Sequence, residues 1–338
     1  VRLRPNYDEI TQYLECTAVS KIAVVIPCYR VGTSLLEIIS LIGPEISKIY
    51  VVDDCCPEDS TRVIDQLDDD RILLIRNEKN LGVGGAVMRG YQQAIIDQMD
   101  IVVKIDGDAQ MDPRLIPIFI APIVRGEADY TKGNRFYELE QIHRMPVLRV
   151  IGNAGLSFVT KLSSGYWDIF DPSNGYTAIS VPVLEKMPLY KIANRYFFES
   201  DMLFRLNILR AVVEDIPMDA KYGNEISSLK IYHVFFEFIY RHTVNLLRRI
   251  FYNYYLRDMS LASFELPLGI LMLIFGLYYG FDSWSQASKA GLPATAGNVM
   301  ISAVSLIGGL QLVLAFLAYD IASVPKLVLH TRLLDRRK

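Results

Sequence analysis

The sequence predicts an α/β domain on a mostly parallel sheet, followed by amphipathic helices and a two-helix apolar hairpin. Three observations predict it. Short apolar runs alternate with segments of helical spacing between Lys21 and Asp108. Two later stretches are long enough to cross a bilayer core and carry almost no charge. Lysines and arginines crowd the outer flanks of that pair.

The first run is "KIAVVIP" (21–27), and "ISKIYVVDD" (46–54), "RILLIRN" (71–77) and "DIVVKIDGD" (100–108) follow it. Strands that are apolar throughout are covered on both faces, as in parallel sheets. Between them, "VGTSLLEIISLI", "DSTRVIDQL" and "GGAVMRGYQQAIIDQ" show helical spacing, with Asp59 or Ser60 placed to cap the second. The glycines of "NLGVGGAVMRG" suit a tight turn into a helix. They do not make a dinucleotide fingerprint, which would need glycine or alanine where Val87 stands. Sheets of this kind bind ligands beyond the carboxyl ends of their strands. Those ends carry Asp53 and Asp54, Asn77 and Asn80, and Asp106 and Asp108.

The apolar stretches are "LASFELPLGILMLIFGLYYGF" (261–281) and "VMISAVSLIGGLQLVLAFLAY" (299–319). Arg241, Arg248, Arg249 and Arg257 precede the pair, Lys326, Arg332, Arg336, Arg337 and Lys338 follow it, and only Lys289 lies between. That bias predicts a multi-pass protein of the inner or plasma membrane, with the sheet domain and both termini in the cytoplasm. Lys230, His233, Glu237, Arg241 and Arg248 form a narrow polar stripe on an aromatic-rich helix, suited to the headgroup layer. The expected organisation is an arm (1–20), the sheet domain (21–230), interfacial helices (231–260), and the hairpin with a basic tail (261–338). Gly308 and Gly309 are small enough to let the hairpin pack on a second copy as a homo-oligomer.

Half of the 338 residues are hydrophobic, and the net charge of −3 gives no field for nucleic acid. Cys16, Cys28, Cys55 and Cys56 show no metal-ligand spacing and read as reduced thiols of a cytosolic compartment. The chain starts at Val1, which suggests a trimmed or tagged start, and no basic-then-apolar leader is visible. His143, His233, His242 and His330 also lack metal spacing and read as surface or structural.

"KIDGDAQMDP" (104–113) holds Asp106 and Asp108 beside each other, with Lys104 the one basic residue leading in. Two readings account for it. A divalent cation can sit between such acids and a phosphorylated ligand, with Gln110 adding a neutral oxygen. Alternatively, the acids bond their own backbone in a turn.

"VVIPCYR", "VVDDCCPEDST", "NLGVGGAVMRG", "KIDGDAQMDP", "TKGNRF" and "DPSNGYTAI" occur in the order and spacing of glycosyltransferase family 2. Over residues 21–230 the chain resembles that family, and within it the polyprenyl-phosphate sugar transferases of dolichol-phosphate mannose type with appended transmembrane helices. The resemblance implies a GT-A fold, Rossmann-like in its nucleotide half, and a Mg²⁺ or Mn²⁺ ion on Asp106, Asp108 and Gln110. It implies a UDP- or GDP-sugar donor bordered by Pro27 and Tyr29, with Asp54 at the base or ribose and Lys221 and Lys230 at the diphosphate. It places Arg135 at the phosphate of a polyprenyl acceptor, with Arg149 a second candidate. Arg30 and Val31 depart from the family's usual asparagine and glutamate, Cys55 and Cys56 from its Gly-Ser, and Lys221 from its usual arginine.

The expected reaction is inverting transfer of a sugar to a polyprenyl phosphate at the cytoplasmic face of a membrane. Glu199 and Asp201 open a helix in "FFESDMLFRL" (197–206). Relatives acting on hydroxyls use an acid in this neighbourhood as general base, so Asp201 is the candidate base. A phosphate acceptor is already anionic and needs none, which leaves both as helix-terminus acids. The alternatives are transfer to a hydroxyl of a lipid-linked saccharide or polysaccharide, and a non-catalytic membrane scaffold. Polymer synthases of the family carry a Q-x-x-R-W signature, and Trp167 and Trp284 lack that context.

Overall fold

The computed structural model describes residues 20–32, 34–137, 147–218 and 231–335. The chain divides into two units, Val1–Leu246 with Pro325–Lys338, and Leu247–Val324. In the first unit, β1 (Ile22–Cys28), β2 (Lys48–Asp53), β3 (Ile72–Arg76) and β4 (Ile101–Lys104) form where the apolar runs place them. Three further strands, β5 (Tyr130–Asn134), β6 (Thr177–Ser180) and β7 (Val213–Pro217), complete one sheet of order β3-β2-β1-β4-β6-β5-β7. Only β6 runs antiparallel to its neighbours, β4 and β5. The strand order reverses direction at β1, with β2 on one side and β4 on the other, so the crevice beyond Cys28 and Lys104 is the expected ligand site.

The helices of this unit are α1 (Ser34–Ser40), α2 (Val83–Ile96), α3 (Ile116–Val124), α4 (Val147–Ser164), α5 (Val181–Leu184) and α6 (Phe198–Leu209). One face of the sheet buries Val24, Ile26, Val51 and Val103 against Leu35, Ile38, Phe119 and Ile120. There Tyr176 stacks on Phe119 with ring centres 3.9 Å apart. The expected helix at 59–67 is only a 3-10 turn, Arg62–Gln66, and neither Asp59 nor Ser60 caps it. The cause lies at β2: Asp53 takes the Thr61 hydroxyl at 3.1 Å and the Cys56 amide at 2.9 Å, which ties the segment to the sheet.

The tail expected to follow the hairpin belongs with the sheet unit instead. A short helix, α10 (Leu329–Asp335), hands its first two amides and the His330 ring to the buried Asp129, at 2.8–3.0 Å. The Val212 amide also donates to Asp129. Burial raises the carboxyl's pKa, yet these donors outweigh it and hold the group below the usual aspartate range.

The long helix α7 (Ile231–Phe251) contains the boundary between the units. Its exposed residues include Phe236, Ile239 and Tyr240 beside a Glu237–Arg241 pair at 2.7 Å. In the second unit, a π-helical segment Tyr252–Arg257 leads to α8 (Ala262–Lys289) and α9 (Ala296–Ala322). Both are long and apolar enough to cross a membrane. They pack antiparallel through small residues: a Cβ at Gly269 would lie 3.0 Å from the Gly309 carbonyl, and Ser302 donates to the Gly276 carbonyl at 2.8 Å. Gly308 and Gly309 thus face α8 within the hairpin. One residue past the predicted span, Asp320 forms a buried two-point ion pair with Arg249, at 2.5 and 2.9 Å, and accepts from Tyr254.

Candidate active site

At the rim beyond β1, Pro27 is buried and Tyr29 is exposed, with the Arg30 guanidinium 5.5 Å from the Tyr29 ring centre. Asp54, the candidate base or ribose contact, is buried. Its carboxylate accepts from Asn77 Nδ2 at 2.8 Å and from the Leu81 and Gly82 amides at 2.8 and 2.7 Å. Asp54 therefore shapes the glycine loop that leads into α2.

Beyond β4, Lys104 is fully buried and its ammonium lies 2.7 Å from Asp106 Oδ1 and 3.5 Å from Glu199 Oε1. Burial alone pushes a lysine pKa down, but Asp106 and Glu199 outweigh it and hold Lys104 above its ordinary value. Ala109, in the left-handed region at φ 58°, turns the chain so that the Gln110 amide donates to Asp108 Oδ1 at 3.0 Å. The turn reading of "DGD" is met at Asp108, while Asp106 pairs with Lys104 and stays partly exposed.

Gly175, of "DPSNGY", faces this pair. A Cβ there would overlap Asp106 Oδ2 and lie 2.5 Å from Lys104 Nζ. No larger residue fits without displacing the ion pair.

Lys104 continues a polar row across the sheet. In register, Lys104 pairs with Thr177, Thr177 with Lys132, and Lys132 with Asp215. Lys132 is fully buried and donates to the Asn174 carbonyl. Burial pushes its pKa down to about 8, against the pull of Glu199 and Asp171. Asp215 is pushed up to about 7, again by burial, although the Phe170 amide and Lys132 oppose it. Lys132 and Asp215 carry no local signal in the sequence, where "TKGNRF" points to its arginine alone.

Arg135 forks onto the fully buried Asp171, with Nε 2.8 Å from Oδ2 and Nη2 3.1 Å from Oδ1. The fork fixes the guanidinium plane at the edge of the site while the side chain stays partly exposed. Asp201, the candidate base, is buried. Its carboxylate accepts from the Ala193 amide at 2.9 Å, from Arg205 at 3.1 Å and from Asn245 at 3.2 Å. The acid brought to Asp106 through Lys104 is Glu199. The Arg149 side chain, Lys221 and Lys230 lie outside the described residues, as do His143 and the His233 side chain.

Among the described residues, no three His, Cys, Asp or Glu side chains gather into a metal cage. Two carboxylates and an amide at a strand's end instead suit a hard cation that keeps waters and takes phosphate oxygens. The donor set fits Mg²⁺ or Mn²⁺ of that open kind.

A sequence profile of glycosyl transferase family 2 matches residues 23–187, which hold β1–β4, the acidic loop, Arg135 and Gly175. Residues 23–187 are a glycosyl transferase family 2 domain. The chain is 27% identical over 216 residues to the UDP-N-acetylglucosamine–dolichyl-phosphate N-acetylglucosaminyltransferase of Methanococcus voltae, covering 60% of this chain and 86% of that protein. It is 24% identical over 188 residues to the polyprenol monophosphomannose synthase of Mycolicibacterium smegmatis, covering 54% and 70%. Among solved structures it is similar to the glucosyl-3-phosphoglycerate synthase of Mycobacterium tuberculosis in complex with Mn²⁺, UDP and glucosyl-3-phosphoglycerate. That match has a TM-score of 0.53 at 19% identity and covers 73% of this chain and 85% of that one. The family 2 domain therefore has the GT-A fold, and the apolar hairpin α8–α9 follows it in the same chain.

Proposed function

We propose that this protein transfers a sugar, with inversion, from a nucleoside diphosphate donor to a polyprenyl phosphate at the cytoplasmic face of a membrane. The observation that carries the reading is the convergence of Lys104–Asp106 and Arg135–Asp171 at one sheet rim, on a chain with two apolar helices of membrane-crossing length. The names of its dolichyl- and polyprenyl-phosphate relatives support the same substrate classes.

The donor nucleotide would lie against Pro27 and Tyr29 over the loop that Asp54 shapes, with Lys221 and Lys230 drawn to its diphosphate. Asp106, Asp108 and Gln110 would hold a Mg²⁺ or Mn²⁺ ion, which when bound supplies positive charge against the leaving diphosphate. Lys104 holds Asp106 in place from within the sheet. Arg135 and Arg149 would orient the acceptor phosphate, and Asp171 keeps the Arg135 plane fixed. One phosphate oxygen then bonds to the anomeric carbon from the face opposite the departing nucleoside diphosphate. The phosphate arrives already charged, with a second pKa near 6, so no base is required. The partners that surround Asp201 favour this acceptor over a hydroxyl, because they leave that acid far from the role of proton acceptor.

The test is a donor screen with the purified protein, pairing UDP- and GDP-sugars with undecaprenyl phosphate or a lipid-linked saccharide, with and without Mn²⁺. Labelled sugar on undecaprenyl phosphate, lost on chelation and in Asp106→Ala with Asp108→Ala, is the expected result. Product on the saccharide alone would replace this reading with hydroxyl transfer.

A further inference from the structure

Helix α4 is turned inside out for a helix in water. Its buried residues are Ser157, Thr160, Ser163 and Ser164. Its exposed ones are Ile151 at 63%, Phe158 at 55% and Val159 at 37%, with Gly152, Ala154 and Gly155 between them. Ile151, Ala154, Gly155 and Phe158 follow the three- and four-residue steps of one helix face, and Ser157, Thr160 and Ser164 follow them on the opposite face. Three of the four inward hydroxyls have partners: Ser157 donates to the Phe170 carbonyl at 2.9 Å, Ser163 lies 2.7 Å from His242 Nδ1, and Ser164 accepts from the Tyr166 amide at 3.3 Å. The polarity of the helix is thus built into its packing.

We infer that the outer face of α4 is a lipid-contacting surface, seated at the boundary between headgroups and acyl chains of the membrane that carries this enzyme. An apolar ridge of this size facing water would be a liability in a soluble domain. The inference rests on the proposed membrane attachment through α8 and α9. Charge selects lipid over a protein partner: the only charged residues from Val147 to Ser164 are Arg149 and Lys161, both basic. A helix with an apolar outer face whose only charged residues are basic has the composition of helices that lie on anionic membranes. The ridge also continues toward the proposed acceptor site. Phe158 meets Trp167 edge-on with centres 6.4 Å apart, Lys161 lies 5.5 Å from the centre of the half-exposed Phe170, and Phe170 meets Phe136 at 6.1 Å beside Arg135. A polyprenyl phosphate presented to Arg135 would therefore have its first isoprene units against a surface already in lipid.

The test places photoreactive benzoylphenylalanine at 151 or 158 of the full chain in vesicles of phosphatidylethanolamine and phosphatidylglycerol. Position 274 in α8 is the membrane reference, and the equally exposed position 96 at the end of α2 is the aqueous one. Irradiation should give lipid adducts at 151 and 158 at least about fivefold above those at 96, as for an interfacial helix. Adducts at 274 with none above background at 151 and 158 overturn the inference and leave the membrane attachment standing. Protein–protein crosslinks at 158 in place of lipid adducts overturn it in favour of a second copy. Absence of adducts at 274 as well removes the attachment and the inference together.

Discussion

Lys104 Nζ and Asp106 Oδ1 lie 2.7 Å apart inside the end of the sheet, and Gly175 leaves the space they need. The pair joins the acidic loop to the strand before it. Gly175→Ala should push the pair apart and lower kcat/KM for the donor by about tenfold or more, a barrier change of about 1.4 kcal/mol or more. Lys104→Met should leave Asp106 and Glu199 facing each other without a cation and weaken Mn²⁺-dependent donor binding in calorimetry. Wild-type donor affinity in a folded Lys104→Met protein would show that the ammonium does not position the loop.

Asp201 and Glu199 share a helix turn but not an environment. Asp201→Asn disturbs a buried carboxylate bonded to Arg205, Ala193 and Asn245, and should cost roughly 1–3 kcal/mol of stability, read as a lower Tm. Its kcat toward polyprenyl phosphate should remain near wild type. Glu199→Gln, beside Lys104, should act the other way, altering donor KM more than Tm. A collapse of kcat in Asp201→Asn at unchanged Tm would restore the general-base role.

His242 gives the domain an acid limit. Burial pushes its pKa from 6.5 to about 4, so the folded state keeps the neutral ring that Ser163 meets. The unfolded chain takes up the proton first. The His242 contribution to stability should therefore fall as pH drops from about 6.5 toward about 4, by on the order of 3 kcal/mol, and level off below. Asp215, pushed up to about 7, contributes in the opposite sense over the same range. Thermal melts across that window should show the stability difference between wild type and His242→Phe moving against wild type as pH falls, which cancels the Asp215 contribution common to both.

In the hairpin unit, Asp320→Ala strands the buried Arg249 and should destabilise by roughly 3–5 kcal/mol. The double variant Arg249→Met with Asp320→Leu removes both charges and should recover most of that loss in detergent-solubilised melts. Equal losses in single and double variants would mean that the pair is only packing.

Much of this was legible in the residues. Strands β1, β2 and β4 are short, mostly apolar and almost wholly buried, and buried parallel strands have few other patterns available. Strand β3, at the sheet edge, has no buried residue. The acids gather at one rim because successive parallel strands end on the same edge. Lys104 stood out as the one base before the acidic pair, but its role depended on Gly175, about seventy residues away and brought close only by β6 pairing with β4. Lys132 and Asp215 were invisible for the same reason: a cross-strand row leaves no local spacing. Spacing alone does not say which of Glu199 and Asp201 meets Lys104, because a two-residue step along a helix turns the side chain by about half a circle. The expected cap at Asp59 or Ser60 gave way to Asp53, which no window on the helix could include. The apolar and hydroxyl faces of α4 were both present in the sequence, but only packing decides which of them looks outward.

The carboxylate of Asp129 is separated by 200 and 201 residues from the amides of Leu329 and His330 that satisfy it. During translation it emerges about 200 residues ahead of these donors, which follow both long apolar helices. The ribosome therefore delivers the anchor before it delivers this clasp of the sheet unit, and closure of that contact follows the polypeptide's own timetable.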